Sequence, residues 1–388
     1  MRSPLAPLMF SLCLPLAAHA ECGGNFSGFV AGLKAEMQRN GLSAATADSF
    51  FAGVRQEERV LKADRAQGVF RKSFLDFQAS VISKNRLQMG AAMAQKYAGI
   101  FDAAESQYGV SRGVLLAFWG LETDFGKVQG DFNTRDALVT LAHDCRRPEL
   151  FRPQVLAAAE LYARGDFDPA RSLGAWAGEI GQVQMLPADI LRNGVDGDGD
   201  GHVNLKGSSA DALMSGAKMI ASMGWRPGEP WLQEIIVPDQ MDWAQTGLDR
   251  SLSTADWARM GVVPRSGRFA GAQGSVLLPM GRKGPAFMAY PNFRVLFEWN
   301  KSFVYVTTAA YFATRLEGAP RIDPRAADPG LSPAQMKALQ ARLQARGHDV
   351  GPIDGILGEK TREAVQIEQA RLGLPADAWP TPALLDRL

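Results

Sequence analysis

This 388-residue sequence predicts a mainly α-helical protein, interrupted by a Gly- and Asp-rich stretch and ending in a small three-helix unit. Three observations carry that expectation. Apolar residues recur at helical spacing from about residue 25 to 164. Turn-forming residues crowd positions 164–204. A Pro/Gly/Asp-rich segment, 318–330, reads as a linker and sets off residues 331–388.

The elements follow in order. Residues 1–20 read as an export signal. Arg2 is positive, Leu5 to Ala17 is mostly apolar, and Ala18-His19-Ala20 offers the small residues a signal peptidase needs, so cleavage is expected after Ala20. The apolar run is too short and too Pro-interrupted to span a bilayer, and neither Cys13 nor Cys22 follows a lipobox. Cys13 leaves with the signal. Cys22 and Cys145 remain, and in an oxidising compartment they are expected to form one disulfide, two separate buried thiols being the alternative.

Phe29, Leu33 and Met37 mark one face of an early helix. Ser111 caps a helix that runs to about Phe125, with Gly126 as its stop and Val114, Leu115, Phe118, Leu121 and Phe125 at helical period. Helical pattern returns at Asp211–Met223. Residues 226–285 read as loops with short strands, and 286–316 as strand and then helix. In the last unit Ser332 caps, Pro333 sits at the first helical position, and Met336, Leu339 and Leu343 share a face before Gly347 stops the helix. A second helix is expected from Lys360 to Leu372 and a short third from Pro382 to Arg387.

Composition bounds the function. Charged residues make up 21%, so wholesale disorder is not expected. With 42 Lys+Arg against 41 Asp+Glu and no long basic run, the chain is not built to coat nucleic acid or an anionic membrane.

Four constellations could carry chemistry. Glu122 lies near the C-terminal end of an apolar helix, between Trp119 and Phe125 in sequence. Desolvation and the negative end of the helix dipole would both raise its pKa, as a general acid at neutral pH requires; a solvated helix-end Glu is the alternative. The Gly174–Pro187 run combines glycines, Trp176, Gln182 and Gln184, a composition suited to a backbone-lined binding floor and equally to a simple turn. Asp196, Asp198 and Asp200, with Gly201 and the His202 carbonyl, match positions 1, 3, 5, 6 and 7 of an EF-hand-type calcium loop. Position 12 is Gly207, so Asp211 is expected to supply the missing carboxylate. Hard oxygen ligands favour Ca²⁺, in a structural role. Finally, Asn300 stands out within Phe297–Ser302, ahead of an aromatic stripe at Phe303, Tyr305, Tyr311 and Phe312 that reads as core.

Trp119–Gly126, Cys145–Phe151, Trp176–Pro187, the Asp/Gly loop through Asn204, and Trp299–Ser302 occur in this order. On these segments the chain resembles the lytic murein transglycosylase B family, a lysozyme-like group, from roughly Cys22 to Glu317. The tail is similar to the peptidoglycan-binding domain over nearly all of residues 331–388, on Leu339-Gln340, Gly347, Asp354-Gly355, Thr361-Arg362, Ala364-Val365 and Leu372–Pro375. The resemblance implies a lysozyme-like α+β catalytic domain at 21–317 with an inserted calcium-type loop, a linker at 318–330 and a three-helix wall-binding domain at 331–388. It implies Glu122 as the single catalytic acid/base, Gln184 and Asn300 as cleft-lining residues, Arg146 and Arg147 as a basic pair near the cleft, and peptidoglycan glycan strands as the partner. It places the protein in the bacterial periplasm. Two departures stand out: Ala175 precedes Trp176 where the family often has Ser, and Glu368 stands where the tail domain usually has Phe.

The implied reaction cuts the bond between N-acetylmuramic acid and N-acetylglucosamine without water and leaves a 1,6-anhydro ring. One carboxylate suffices if the substrate's acetamido group assists. A second one activating water would make the enzyme a muramidase. The candidates are Asp124, which points elsewhere on the same helix, and Asp136, Asp144 and Glu179, which spacing leaves open. A non-catalytic wall-binding protein is the remaining reading.

Overall fold

Helix starts in this chain are written locally. A Ser or Asn stands before each of several apolar-periodic runs, and its side-chain oxygen accepts a bond from a first-turn N–H. In the computed structural model, which describes residues 22–66 and 72–388, Asn25 caps α1 (Phe26–Arg39), Ser43 caps α2 (Ala44–Phe51) and, after α3 (Glu58–Arg65), Ser73 caps α4 (Phe74–Val81). The expected export signal, 1–20, lies outside the described residues. Ser83 caps α5 (Lys84–Lys96); α6 (Ala98–Tyr108) follows and ends on left-handed Gly109. Ser111 then caps α7 (Arg112–Thr123).

The sequence places the stop of α7 at Gly126, but the helix ends at Thr123. Asp124 (φ 50°) and Phe125 (φ 60°) turn left-handed before Gly126 does. Such residues seldom adopt that backbone unaided. Here Arg86 holds the Asp124 carboxylate at 3.1 Å, and the Phe125 ring packs edge-on to Trp119.

After β1 (Phe132–Asn133), the helices α8 (Thr134–His143) and α9 (Pro148–Arg164) pack together, and β1 pairs with β2 (Leu173–Gly174). A disulfide joins Cys22 to Cys145, just past α8, across a sequence separation of 123. Then come α10 (Pro187–Asn193) and α11 (Ser209–Ser222).

Residues 226–285, read from sequence as loops with short strands, join the strand expected after them in an antiparallel five-stranded sheet. Its strands are β3 (Leu232–Ile236), β4 (Leu252–Ser253), β5 (Val263–Pro264), β6 (Gln273–Leu277) and β7 (Ala286–Ala289), in the order β4-β6-β7-β3-β5, with α12 (Thr254–Arg259) between β4 and β5. β7 leads into α13 (Pro291–Trp299) and α14 (Phe303–Leu316).

The buried core centres on α7 and α14. All of α7 from Gly113 to Gly120 is buried, and Val306, Ala309, Ala310, Phe312 and Ala313 of α14 are at most 1% exposed. A helix buried nearly all round needs small residues where its neighbour crosses closest. Gly120 supplies one: a Cβ there would lie 2.9 Å from the Phe125 ring and 3.1 Å from that of Phe312.

The tail comprises α15 (Pro333–Ala345), opened by a Ser332–Gln335 capping box, α16 (Glu359–Arg371) and α17 (Pro382–Leu385). It has its own core of Met336, Leu339, Leu343, Val365 and Leu384. It is nonetheless docked on the sheet. Buried Arg362 donates to the carbonyls of Leu278 and Pro279 and lies 4.4 Å over the Phe303 ring, while Gln366 donates to the Thr246 carbonyl at 2.9 Å. Residues 318–330 carry no helix or strand but are pinned: Ile322 is buried, and Lys283 pairs with Asp328 at 2.8 Å. Glu368, the tail's departure from pattern, is buried with its carboxylate bonded to His348 at 2.9 Å and Arg371 at 2.8 Å, so an ion cluster fills the place of an aromatic ring.

Gly120→Val should overpack this crossing. Its expected cost is about 1–3 kcal/mol of stability, read by denaturant unfolding. Unchanged stability would mean that the two helices are free to move apart.

Candidate active site

Glu122 occupies the last turn of α7, on the side that meets α13 and α14. Phe118, one turn earlier, stacks on Trp299 with ring centroids 4.7 Å apart. The Trp299 Nε1–H donates to Glu122 Oε1 at 3.2 Å, and the Tyr305 hydroxyl donates to the same oxygen. Burial pushes the Glu122 carboxyl up to about 7; the two donors pull against that rise, and the negative charge of Glu179 adds to it. A group that is half protonated near neutrality can both give and take a proton there.

Tyr305 and Trp299 are the residues the sequence reading missed. Tyr305 read as one member of a core stripe, and so it is, at 8% exposure. The available signal was chemical: a buried Tyr hydroxyl needs a partner. Asn300, singled out instead, accepts from the Ser302 N–H at 2.8 Å and so shapes the turn between α13 and α14.

The Gly174–Pro187 segment forms a floor tied to α7. Ile180 and Met185 exchange backbone hydrogen bonds, with Gln184 at the turn in a left-handed conformation (φ 52°). Gly181 (φ 78°) lies so close to Leu205 that a Cβ would meet it at 2.5 Å. Gln182 rivets the segment to the acid's helix: its Oε1 accepts from Trp119 Nε1 at 3.1 Å and from Ser209 Oγ at 3.1 Å, and its carbonyl accepts from Thr123 Oγ1 at 2.6 Å. Gln184 donates to the Gly181 carbonyl at 2.7 Å. Ala175, the departure from pattern ahead of Trp176, offers its N–H to the Glu179 carbonyl at 3.0 Å.

Of the four further carboxylates considered, three are held by arginines: Asp124 by Arg86, Asp136 by Arg135 and Asp144 by Arg65. Glu179 alone of the four acts on Glu122. Its own carboxyl is pushed up by burial, against backbone N–H groups and the charge of Arg147, and its Oε2 has no hydrogen-bond partner among the described residues. Arg146 and Arg147 both grip Asp64, itself 1% exposed; Arg146 reaches its carboxylate at 2.7 Å. Arg147 leaves its Nε without a partner among the described residues.

In the Asp/Gly loop, carboxylate oxygens of Asp196, Asp198 and Asp211 lie within 4.8 Å of one another. Hydrogen bonds from Gly201, Gly199 and Asp200 N–H groups hold Asp196 below the usual carboxylate range. Buried Asp211 accepts from Gly197 N–H at 2.9 Å and Asn204 N–H at 2.7 Å. Asp200 is outside that cluster and accepts from His202 N–H at 2.9 Å, while the His202 ring turns to Asp166 at 3.0 Å.

Residues 25–314 match the family model described as transglycosylase SLT domain, and residues 332–388 that of the putative peptidoglycan binding domain. SltB3 from Pseudomonas aeruginosa, solved in complex with NAG-anhNAM-pentapeptide, is 36% identical with a TM-score of 0.86, over 94% of this chain and 99% of that one. Membrane-bound lytic murein transglycosylase B from Escherichia coli is 29% identical over 60% of this chain; the match spans only 64% of that protein's length. The Escherichia coli lytic transglycosylase Slt35, solved in complex with calcium, shares the fold at 24% identity and a TM-score of 0.66, over 78% of this chain and 98% of that one.

The raised Glu122 carboxyl has a thermodynamic signature. Its pKa is about 7 in the folded chain against an ordinary 4.5, so between those values the folded state binds more protons than the unfolded one. Stability is therefore lost as pH rises through this window. Glu122→Gln, neutral throughout, should melt above wild type past pH 7 and lose that advantage below about pH 4.5. Parallel Tm curves across this range would mean an ordinary surface carboxylate.

Proposed function

The chain belongs to the transglycosylase SLT domain family, and from that premise we propose that it is a lytic transglycosylase of peptidoglycan in which Glu122 is the sole acid and base. The observation that carries this reading is one carboxyl poised near pH 7 between an apolar stack and two hydrogen-bond donors.

Protonated Glu122 gives its proton to the oxygen linking N-acetylmuramic acid to N-acetylglucosamine. The C1–O bond breaks, and the muramyl acetamido oxygen supports the positive charge that develops at C1. Glu122 is now a carboxylate, stabilised by Tyr305 and Trp299. It takes the proton from the muramyl C6 hydroxyl, whose oxygen closes on C1. Both protons are accounted for, and no water enters. Around this centre Gln184, Asn300, Arg147 and, through its grip on Asp64, Arg146 serve to bind and orient the strand. The supports are the family match and two buried atoms without a hydrogen-bond partner among the described residues, Glu179 Oε2 on the floor and Arg147 Nε.

The coupling between Glu179 and Glu122 favours one second reading, a muramidase in which Glu179 activates water. The products separate the two.

Two further elements belong to this proposal. Asp196, Asp198 and Asp211, with the His202 carbonyl, would hold Ca²⁺: two carboxylates on a loop with left-handed glycines and a third from the first turn of α11 converge, a donor set that suits a hard cation. Asp200 would join them only by a side-chain turn. Bound there, calcium supplies no chemistry; it neutralises the carboxylates and stiffens the loop leading into α11. The protein would work in the periplasm, delivered by the signal at 1–20. No helix among the described residues is long and apolar enough to cross a membrane.

Mass spectrometry of purified sacculi after digestion should find 1,6-anhydromuramyl ends, and Glu122→Gln should release none while still pelleting with the wall. Reducing muramic ends that vanish in Glu179→Gln would instead establish the muramidase. For the loop, EDTA should lower Tm more than it lowers initial rates at low temperature, with calcium restoring both; an unmoved melting curve removes the metal from the account.

A further inference from the structure

Arg362, on α16 of the tail, is 8% exposed. Its terminal nitrogens donate to the carbonyls of Leu278 and Pro279, just past β6, the second at 2.7 Å. Its guanidinium carbon lies 4.4 Å from the centre of the Phe303 ring and 5.9 Å from that of Trp379. Burial pulls its pKa down to about 10, against the charges of Asp377 and Glu359, so it remains a cation at neutral pH. Asp377 also pairs with Arg282 at 3.3 Å, and Glu359 meets Glu363 and Asp249 across the joint. A cation over an aromatic face is attracted most strongly where water is excluded. Both rings are confined. Phe303 is 7% exposed, and Trp379 fits because Gly281 and Gly330 carry no side chain: a Cβ there would lie 2.7 Å and 2.8 Å from it. The Trp379 indole also donates to the Asp328 carbonyl at 2.9 Å.

Phe303 is the first residue of α14 and Tyr305 the third. The turn they share is closed. Asn300 accepts from the Ser302 N–H at 2.8 Å, the Ser302 hydroxyl accepts from the Tyr305 N–H at 3.4 Å, and the Ser302 carbonyl accepts from the Val306 N–H at 2.9 Å. In a closed turn, residues two positions apart move together. What holds the Phe303 ring therefore also holds the Tyr305 hydroxyl against Glu122. We infer that Arg362 is a positioning residue for Glu122: from the tail it fixes the first turn of α14, and through it the hydrogen bond from Tyr305. The inference rests on the proposed role of Glu122, and the test below separates the two. The groups that face Glu122 are Tyr305 of α14, Trp299 of α13 and Glu179 of the floor, and Arg362 works through the first. Burial and the charge of Glu122 push Tyr305 well above its usual value, so it stays a donor. Losing a donor to the charged form raises a carboxyl's pKa.

The readout is the pH dependence of kcat/KM on soluble glycan strands, whose alkaline limb follows the protonated acid. Tyr305→Phe removes the donor and should move that limb up by about one unit. Arg362→Met should move it the same way by about half a unit or more. Arg362→Lys, which keeps a cation near the ring, should bring most of that shift back. In Tyr305→Phe/Arg362→Met the limb should stand where Tyr305→Phe alone puts it. Gln366→Leu loosens the same joint at the Trp243 and Thr246 carbonyls; it should lower Tm and leave the limb in place. Should Arg362→Met not fold, Phe303→Leu carries the same expectation. A limb unmoved by Arg362→Met, additive shifts in the double variant, or an equal shift in Gln366→Leu overturns the inference. The pH window in which Glu122→Gln outmelts its parent reads the same displacement without turnover. If that window moves up in the Arg362→Met background of a chain that cleaves no sacculi, the positioning stands and the reaction falls. If anhydro ends form while neither limb nor window moves, the reaction stands and the positioning falls.

Discussion

Everything functional in this molecule depends on how closely α7 and α14 approach. Gly113 and Gly120 remove side chains that would hold them apart: a Cβ at Gly113 would lie 2.9 Å from the Ala313 carbonyl oxygen, and Phe125 and Phe312 fill the space at Gly120. That contact sets Glu122 beneath the Tyr305 hydroxyl and beside the Trp299 indole. The acid then feels two opposed influences. Apolar burial disfavours its charge, and two donors favour it. Neither alone would leave a carboxyl near neutrality: burial without donors would trap the proton, and donors without burial would release it.

The same logic explains why the Gly174–Pro187 segment is so heavily tied down. Gln182 spends its amide oxygen and its backbone carbonyl on three different side chains, Trp119, Thr123 and Ser209. Those bonds fix the floor relative to the acid's own helix, so the second carboxyl, Glu179, is held at a set position. Left-handed Gln184 is part of the same bargain, since backbone strain persists only where the surrounding structure enforces it.

The sheet and the tail form a second layer of organisation. Arg362 is buried between them and lies over Phe303, at the start of the helix that bears Tyr305. A charged side chain buried this deeply must be satisfied by its neighbours. Its two terminal nitrogens reach the carbonyls of Leu278 and Pro279, which ties the position of the tail to that of the sheet and of α14. The tail is thereby fixed against the sheet and the start of α14.

Sequence by itself determined what is local. Caps at Ser111 and Ser332, the apolar period of α7, and the Asp/Gly loop are decided by residues a few positions apart, because a cap or a tight turn is closed by its own neighbours. Glu122 stood out for the same reason, as a lone acid in an apolar helix. Tertiary structure alone decided what depends on distant partners. It showed that Phe125 and Asp124 end α7 early, that Tyr305 serves the acid 183 positions away, that Arg146 and Arg147 converge on Asp64, and that the carboxylates of Asp249, Glu359 and Glu363 meet across two units. No periodicity encodes such pairings, since each forms only when separate elements pack and water is excluded from between them.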